Sequence, residues 1–149
     1  MDSKRDDSRK LIQLFDQIVN TEGKAVITPE FCDITSNDMH IIKAIGTEHP
    51  KKMGEVAALL PVTLGTLTIA VNGLVKKGYV KRERGTLDRR VVYVSLSEKG
   101  KKAHQHYKEF HNGMLHAFTK NLSQDEIAKL IQALQNLQDY FEICQKDGN

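Results

Sequence analysis

The chain of 149 residues is poor in cysteine, with only Cys32 and Cys144, far apart and without CxxC spacing. That leaves no disulfide framework, and both thiols are expected to be buried or idle. No apolar run approaches the roughly 18 residues that a membrane span needs. The start, MDSKRDDSRK, is charged where a signal peptide needs an apolar core, so a cytoplasmic protein with no membrane partner is expected. Nucleophile elbow, phosphate-cradling glycine loop, HExxH pair and paired carboxylates are all missing; the glycines fall instead at helix ends and in one turn. These gaps argue against an enzyme and imply no cofactor. Low-complexity tracts and repeats are also absent, and the length suits one domain over residues 1–149.

What is present is charge in one place. Residues 51–102 hold 12 lysines and arginines against 4 acidic residues, an excess of 8 in a chain whose total is +3, so the remainder carries about −5. One basic region on an otherwise acidic chain is the footprint of a face that meets nucleic acid.

That region, residues 61–100, reads PVTLGTLTIAVNGLVKKGYVKRERGTLDRRVVYVSLSEKG. At 100° per residue Leu64, Leu67, Ala70, Val71, Leu74 and Val75 share one arc, while Gly65, Thr66, Thr68, Ile69, Asn72, Gly73 and Lys76 share the other. Pro61 disfavours helix at Leu60 and Thr63 is placed as an N-cap, so one helix stops near Leu60 and another starts near Thr63, as in a helix-turn-helix. Small residues, hydroxyls and an amide on the outer arc let a helix lie deep in a major groove. Thr63, Gly65, Thr66, Thr68 and Asn72 are therefore candidates for DNA contact, with Lys76 for phosphate.

Gly78 is placed to end this helix. Residues 79–84 and 91–96 then have strand chemistry, joined by a tip reading Gly85-Thr86-Leu87-Asp88-Arg89-Arg90. Arg82, Arg84, Arg89 and Arg90 crowd one short ribbon, which suits a polyanion supplying the counter-charge. Asp88, two residues before Arg90, can hold that guanidinium bidentately and pre-orient it for the minor groove. A solvated turn with a local ion pair is the plainer alternative.

The run Asp88 to Gly100, DRRVVYVSLSEKG, resembles the D-x-R wing, strand and LT-x-x-G helix start of MarR-type winged-helix regulators, with Ser97 where threonine is usual. The resemblance covers nearly the whole chain. Together with PVTLGTLTIAVNGLVKKGYVKR and EFCDITSNDMHIIKAIG, it is most similar to the FabT-type repressors of fatty-acid synthesis. It implies a mainly α fold with a small β-wing: a winged helix-turn-helix over residues 35–100, and a helical dimerisation part over residues 1–30 and 101–149. It further implies a homodimeric repressor on a palindromic double-stranded operator, with affinity raised by long-chain acyl-acyl carrier protein.

The remaining segments fit that plan. Residues 5–22 carry an apolar helical stripe ended by Gly23. Thr35 or Ser36 caps a second helix closed by Gly46, and residues 52–60 make the first helix of the helix-turn-helix, with Lys51 and Lys52 available to phosphate. A helix starts at Ser97, and Ser123-Gln124-Asp125-Glu126 is a capping box flanked by a Leu122/Ile127 staple. The last helix bears a stripe from Ile127 to Cys144 long enough to suggest a core shared between two subunits.

Ile12, Phe15, Met39, Ile42, Phe110 and Met114 are candidates to enclose an acyl chain, though an ordinary filled core explains them as well. Lys99, Lys101 and Lys102 could dock an acidic carrier. Other readings stay open: a zinc sensor using His40, His104, His106, His111 and His116, a redox sensor at Cys32, and a winged helix that binds protein without DNA. The histidine spacings share a helix face poorly, which disfavours a metal site.

Overall fold

The computed structural model describes residues 2–148, so the first and last residues of the expected 1–149 domain lie outside it. Six helices and three short strands follow in the order α1 (Asp2–Ala25), α2 (Ser36–Ile45), β1 (Lys51–Lys52), α3 (Met53–Ala58), α4 (Leu64–Lys76), β2 (Val80–Arg84), β3 (Val92–Leu96), α5 (Glu98–Thr119) and α6 (Gln124–Asp147). A single 3-10 turn, Pro29–Phe31, lies between α1 and α2. This is the expected mainly α fold with a small β-wing. The chain forms two compact units, whose boundary falls within α5 between Phe110 and His111.

The first unit contains the helix-turn-helix and the wing. Thr35 caps α2 by accepting from the Asp38 amide at 3.2 Å, and the Asp38 carboxylate accepts from the Thr35 amide at 2.9 Å. This reciprocal pair satisfies two of the donors that a helix start leaves open. Gly46 ends α2 with φ of 68°, a conformation that other residues adopt at a cost. Thr63 caps α4 through the Thr66 amide at 3.2 Å, and Gly78 follows the Lys77 C-cap with φ of 84°.

The core of this unit is built by Met39, Ile42 and Ile45 of α2, Val56 of α3, Leu67, Val71 and Leu74 of α4, and Val94 of β3, all essentially inaccessible. Each such side chain contributes about 1.5–3 kcal/mol by leaving water. The period of the α4 stripe thus fixes which arc of that helix is left outside. Leu64 departs from the expectation: placed on the packing arc by periodicity, it is exposed because it sits in the first turn, beyond the edge of the core.

The strands form one antiparallel sheet in the order β1-β3-β2. Val80 pairs with Leu96, Arg82 with Val94 and Arg84 with Val92, while Lys51 pairs with Val94 across the other edge of β3. The third strand, β1, was not expected from sequence, and it recruits a lysine assigned to phosphate. Lys51 donates to the Ala44 and Ile45 carbonyl oxygens at 2.9 and 3.0 Å, so its ammonium closes the C-terminus of α2.

α1 also runs further than expected, past Gly23 to Ala25. Gly23 has no positive φ, and Val26 is drawn into the core just beyond it. In the second unit, Ser123 and Glu126 form the expected reciprocal cap of α6, and Leu122 and Ile127 are both half-buried.

Candidate nucleic-acid interface

On α4, Gly65, Thr66, Thr68, Ile69, Asn72 and Lys76 are exposed, and Gly73 is half-buried. Ile69, at 75 % relative exposure, is the most open large apolar side chain of the helix. The hydroxyls have defined roles. Thr63 donates to the Thr66 hydroxyl at 3.0 Å, and Thr68 donates to the Leu64 carbonyl at 2.8 Å. Thr68 therefore keeps its lone pairs and its methyl for an external partner.

The strand period of two puts Arg82 and Arg84 on the face of β2 shared by buried Val80, and Lys81 and Glu83 on the opposite face. Arg82 donates from its terminal nitrogen to Asn72 Oδ1, joining the wing to the third turn of α4. Asn72 and Arg82 are ten residues apart on different elements, and the sequence carries no local signal of this contact.

At the wing tip, Arg90 donates through Nε to Asp88 Oδ1 at 3.1 Å and through a terminal nitrogen to Oδ2 at 3.2 Å. The Arg90 amide also donates to Oδ1 at 3.0 Å. The expected bidentate pair is thus present, with the Arg90 side chain 93 % exposed. These hydrogen bonds hold the Asp88 carboxyl below the usual 3.8. Arg84 and Arg89 are exposed, as is Leu87 between Thr86 and Asp88.

The root of the wing is fastened to the rest of the first unit by contacts that the sequence did not announce. Buried Tyr79 donates its hydroxyl to Asp33 Oδ1 at 2.6 Å, which holds the Asp33 carboxyl below its usual value, aided by Lys99. Burial, then that same hydrogen bond, pushes the Tyr79 phenol far up. Lys99 lies 4.3 Å from the centre of the Tyr79 ring and 3.6 Å from Asp33 Oδ2. Ser97 donates to the Gly78 carbonyl and accepts from the Gly100 amide at 3.1 Å, a helix cap that the serine three positions before Gly100 does signal.

Of the six candidate ligand residues, five lie in the first unit and Met114 in the second. Met39 and Ile42 are sealed in the core, Phe110 packs partly against it, and Ile12, Phe15 and Met114 are exposed. Flexible Met and branched Ile fill space between α2 and its neighbours, the ordinary use of such residues. Among the described residues, no group of three or more His, Cys, Asp or Glu side chains could hold a metal ion. The His106 ring nitrogen meets the Val26 carbonyl at 2.8 Å, and His40 meets the Tyr107 hydroxyl at 3.0 Å. Both cysteines are exposed, so of the expected buried or idle thiols the buried alternative is not met in this chain; Cys32 lies just after the 3-10 turn and Cys144 on α6.

Comparisons with known proteins agree with this geometry. The family described as transcriptional regulator SarA/Rot matches residues 25–107. The chain is 31 % identical over 99 residues to the uncharacterised HTH-type transcriptional regulator YpoP of Bacillus subtilis, covering 66 % of this chain and 67 % of that one. It is 31 % identical over 104 residues to the HTH-type transcriptional regulator SarZ of Staphylococcus saprophyticus, covering 70 % of each. The fold superposes on Streptococcus pneumoniae FabT in complex with DNA with a TM-score of 0.78 at 33 % identity, covering 95 % of this chain and 99 % of that one. A mutant E. coli MarR complexed with operator DNA gives 0.64 at 26 % identity, over 86 % and 93 %. Those relatives are transcriptional regulators and not enzymes. The family match spans more than half of the sequence and takes in α2 to β3 whole, so the chain belongs to the SarA/Rot family and is a DNA-binding transcriptional regulator of the MarR/SarA winged-helix type.

Proposed function

We propose that the protein is a homodimeric repressor of fatty-acid synthesis genes that grips a palindromic duplex operator and binds it more tightly in the presence of long-chain acyl-acyl carrier protein. The observation that carries the DNA half is the joining of the wing to α4 by the Arg82–Asn72 hydrogen bond, with Thr66, Thr68 and Asn72 exposed on α4 and the Arg90 guanidinium held by Asp88 at the exposed wing tip. In this reading Thr66, Thr68 and Asn72 meet base edges, while Thr63 and Gly65 allow close approach at the helix start. Lys76, Arg82, Arg84 and Arg89 meet phosphate. Arg90 enters the minor groove, held ready by Asp88, so less side-chain freedom is lost on binding.

Dimerisation is supported by apolar faces that each unit leaves uncovered. In the first unit α1 exposes Leu11, Ile12, Leu14, Phe15, Ile18 and Val19; in the second, Leu115, Phe118, Ile131, Leu134 and Phe141 are exposed. Residues 1–30 and 101–149 would form the paired layer, leaving residues 35–100 as the reading part. Two-fold pairing presents two α4 helices to successive major grooves. The acyl half rests on the likeness to FabT, and Lys99, Lys101 and Lys102 remain the candidate carrier-docking residues. Because Met39 and Ile42 are sealed, an acyl chain would have to displace them, which ties its binding to a change in the core below α4.

Fluorescence anisotropy over a salt series tests the DNA reading: affinity should fall steeply with salt, and a winged helix that only binds protein would show no such slope. Repeating the titration with and without long-chain acyl-acyl carrier protein tests the effector. Tighter DNA binding with the acylated carrier, and not with the bare carrier, is the expected result; no difference between the two overturns it.

A further inference from the structure

A guanidinium has five N–H donors and no acceptor. The end of the Asn72 amide that faces Arg82 must therefore be its carbonyl oxygen, as the Arg82–Asn72 hydrogen bond has it. An asparagine side chain alone turns either end outward at little cost, but a charge-assisted bond from a neighbouring element breaks that symmetry. Arg82 is well placed to do so. Its strand is pinned to β3 on one side, and Tyr79, one residue before β2, is buried and bonded to Asp33.

We infer that Arg82 is a specificity-determining residue acting through Asn72: it holds the Asn72 carbonyl inward so that α4 offers the amide hydrogens to the major groove and reads acceptor atoms there. This rests on the DNA reading above and deepens it. An unrestrained asparagine pairs with adenine through both ends, accepting from N6 and donating to N7. With its carbonyl turned towards Arg82 and one of that oxygen's two lone pairs engaged, Asn72 presents its amide hydrogens outward, which suits guanine N7 and O6 or thymine O4 better than the amino group of adenine or cytosine. Arg82 keeps further donors for a phosphate, but its effect on base choice is separate from that contact. Arg82 is thus a positioning residue, and Asn72 makes the contact.

Selection of full-length protein from a randomised duplex library, followed by affinities for the winning duplex and its single-base variants over a salt series, tests the assignment. Wild type should favour guanine or thymine over adenine at one position per half-site by about tenfold, within the range expected of a good side-chain pairing to a base. Arg82→Met, which keeps the length without the donors, should move that position towards adenine, whereas Arg82→Lys, which still donates, should retain the original preference. Asn72→Ala should erase the preference, and adding Arg82→Met to it should change base choice no further. Should Arg82→Met weaken binding to every duplex equally, with a shallower salt slope and unchanged base choice, Arg82 is a phosphate contact and the inference falls alone. Selection of adenine by wild type at that position overturns it too. A chain that selects no duplex overturns the DNA reading and this inference together.

Discussion

A methyl group on Gly100 would collide with the Tyr79 carbonyl oxygen and lie 3.1 Å from its carbon, against backbone that cannot swing aside as a side chain can. Gly100→Ala should therefore lower stability by about 3 kcal/mol in urea melts, while Gly54→Ala, whose new methyl meets nothing within 4 Å, should be neutral or gain up to about 1 kcal/mol. Charge makes a second prediction. Burial, followed by Lys108, Lys51 and Lys43, holds the His104 imidazole below the usual 6.5. The unfolded chain then binds more protons than the folded one between the lowered value and 6.5, so this contribution is complete above that window and fades as pH falls through it. Urea midpoints should drop on acidification from neutral pH, and less so in His104→Gln. At the wing tip, the hydrogen bonds from Arg90 hold Asp88 below its usual value, so the pair persists to lower pH than an unpaired aspartate would allow. Arg90→Ala should weaken DNA binding by about 1–3 kcal/mol and Asp88→Ala by less, with melting of the free protein unchanged in both. Unchanged DNA affinity for both would remove the wing from the mechanism. The Asp88–Arg90 pair was legible because its partners are two residues apart; Tyr79 and Asp33, 46 positions apart, meet only once α4 and the wing have folded.

At the scale of the element, most boundaries were written in local chemistry. Thr35, Thr63 and Ser123 cap the helices they precede, and Gly46 and Gly78 end two of them, because a cap needs only a hydroxyl or a positive φ at the right position. Thr63→Ala should cost about 1 kcal/mol, read as a lower thermal midpoint and a frayed start of α4. β1 escaped notice because two lysines show no alternation, and their strand character comes wholly from pairing with β3. Leu64 and Gly23 misled for a related reason: periodicity and composition describe a helix, not where its neighbours stop. The exposed arc of α4 was readable since the opposite arc had to be apolar, but the contact between α4 and β2 was not.

For the molecule as a whole, exposed apolar faces on α1 and α6 predict a species of twice the 16.8 kDa chain mass in light scattering. Leu134→Asp, by burying an unpaired charge in such an interface, should cost about 3–5 kcal/mol of association free energy and with it most of the operator affinity; an unaltered dimer would move the interface elsewhere. Exhaustive dialysis against a chelator should leave melting and DNA binding unchanged, since the His40 and His106 rings already have protein partners. A loss restored by zinc would instead make the chain a metal sensor. One last consequence follows from how tightly β2 follows α4: only Lys77, Gly78 and Tyr79 separate them, and Tyr79 is clasped by Asp33 and Lys99. Insertions there would shift the register of Arg82 against Asn72, while a change of length at Thr86 or Leu87, which keeps Asp88 two positions before Arg90, leaves that register intact. Evolution of this regulator's reach along DNA should accordingly proceed by lengthening the fingertip and leave the knuckle at constant length.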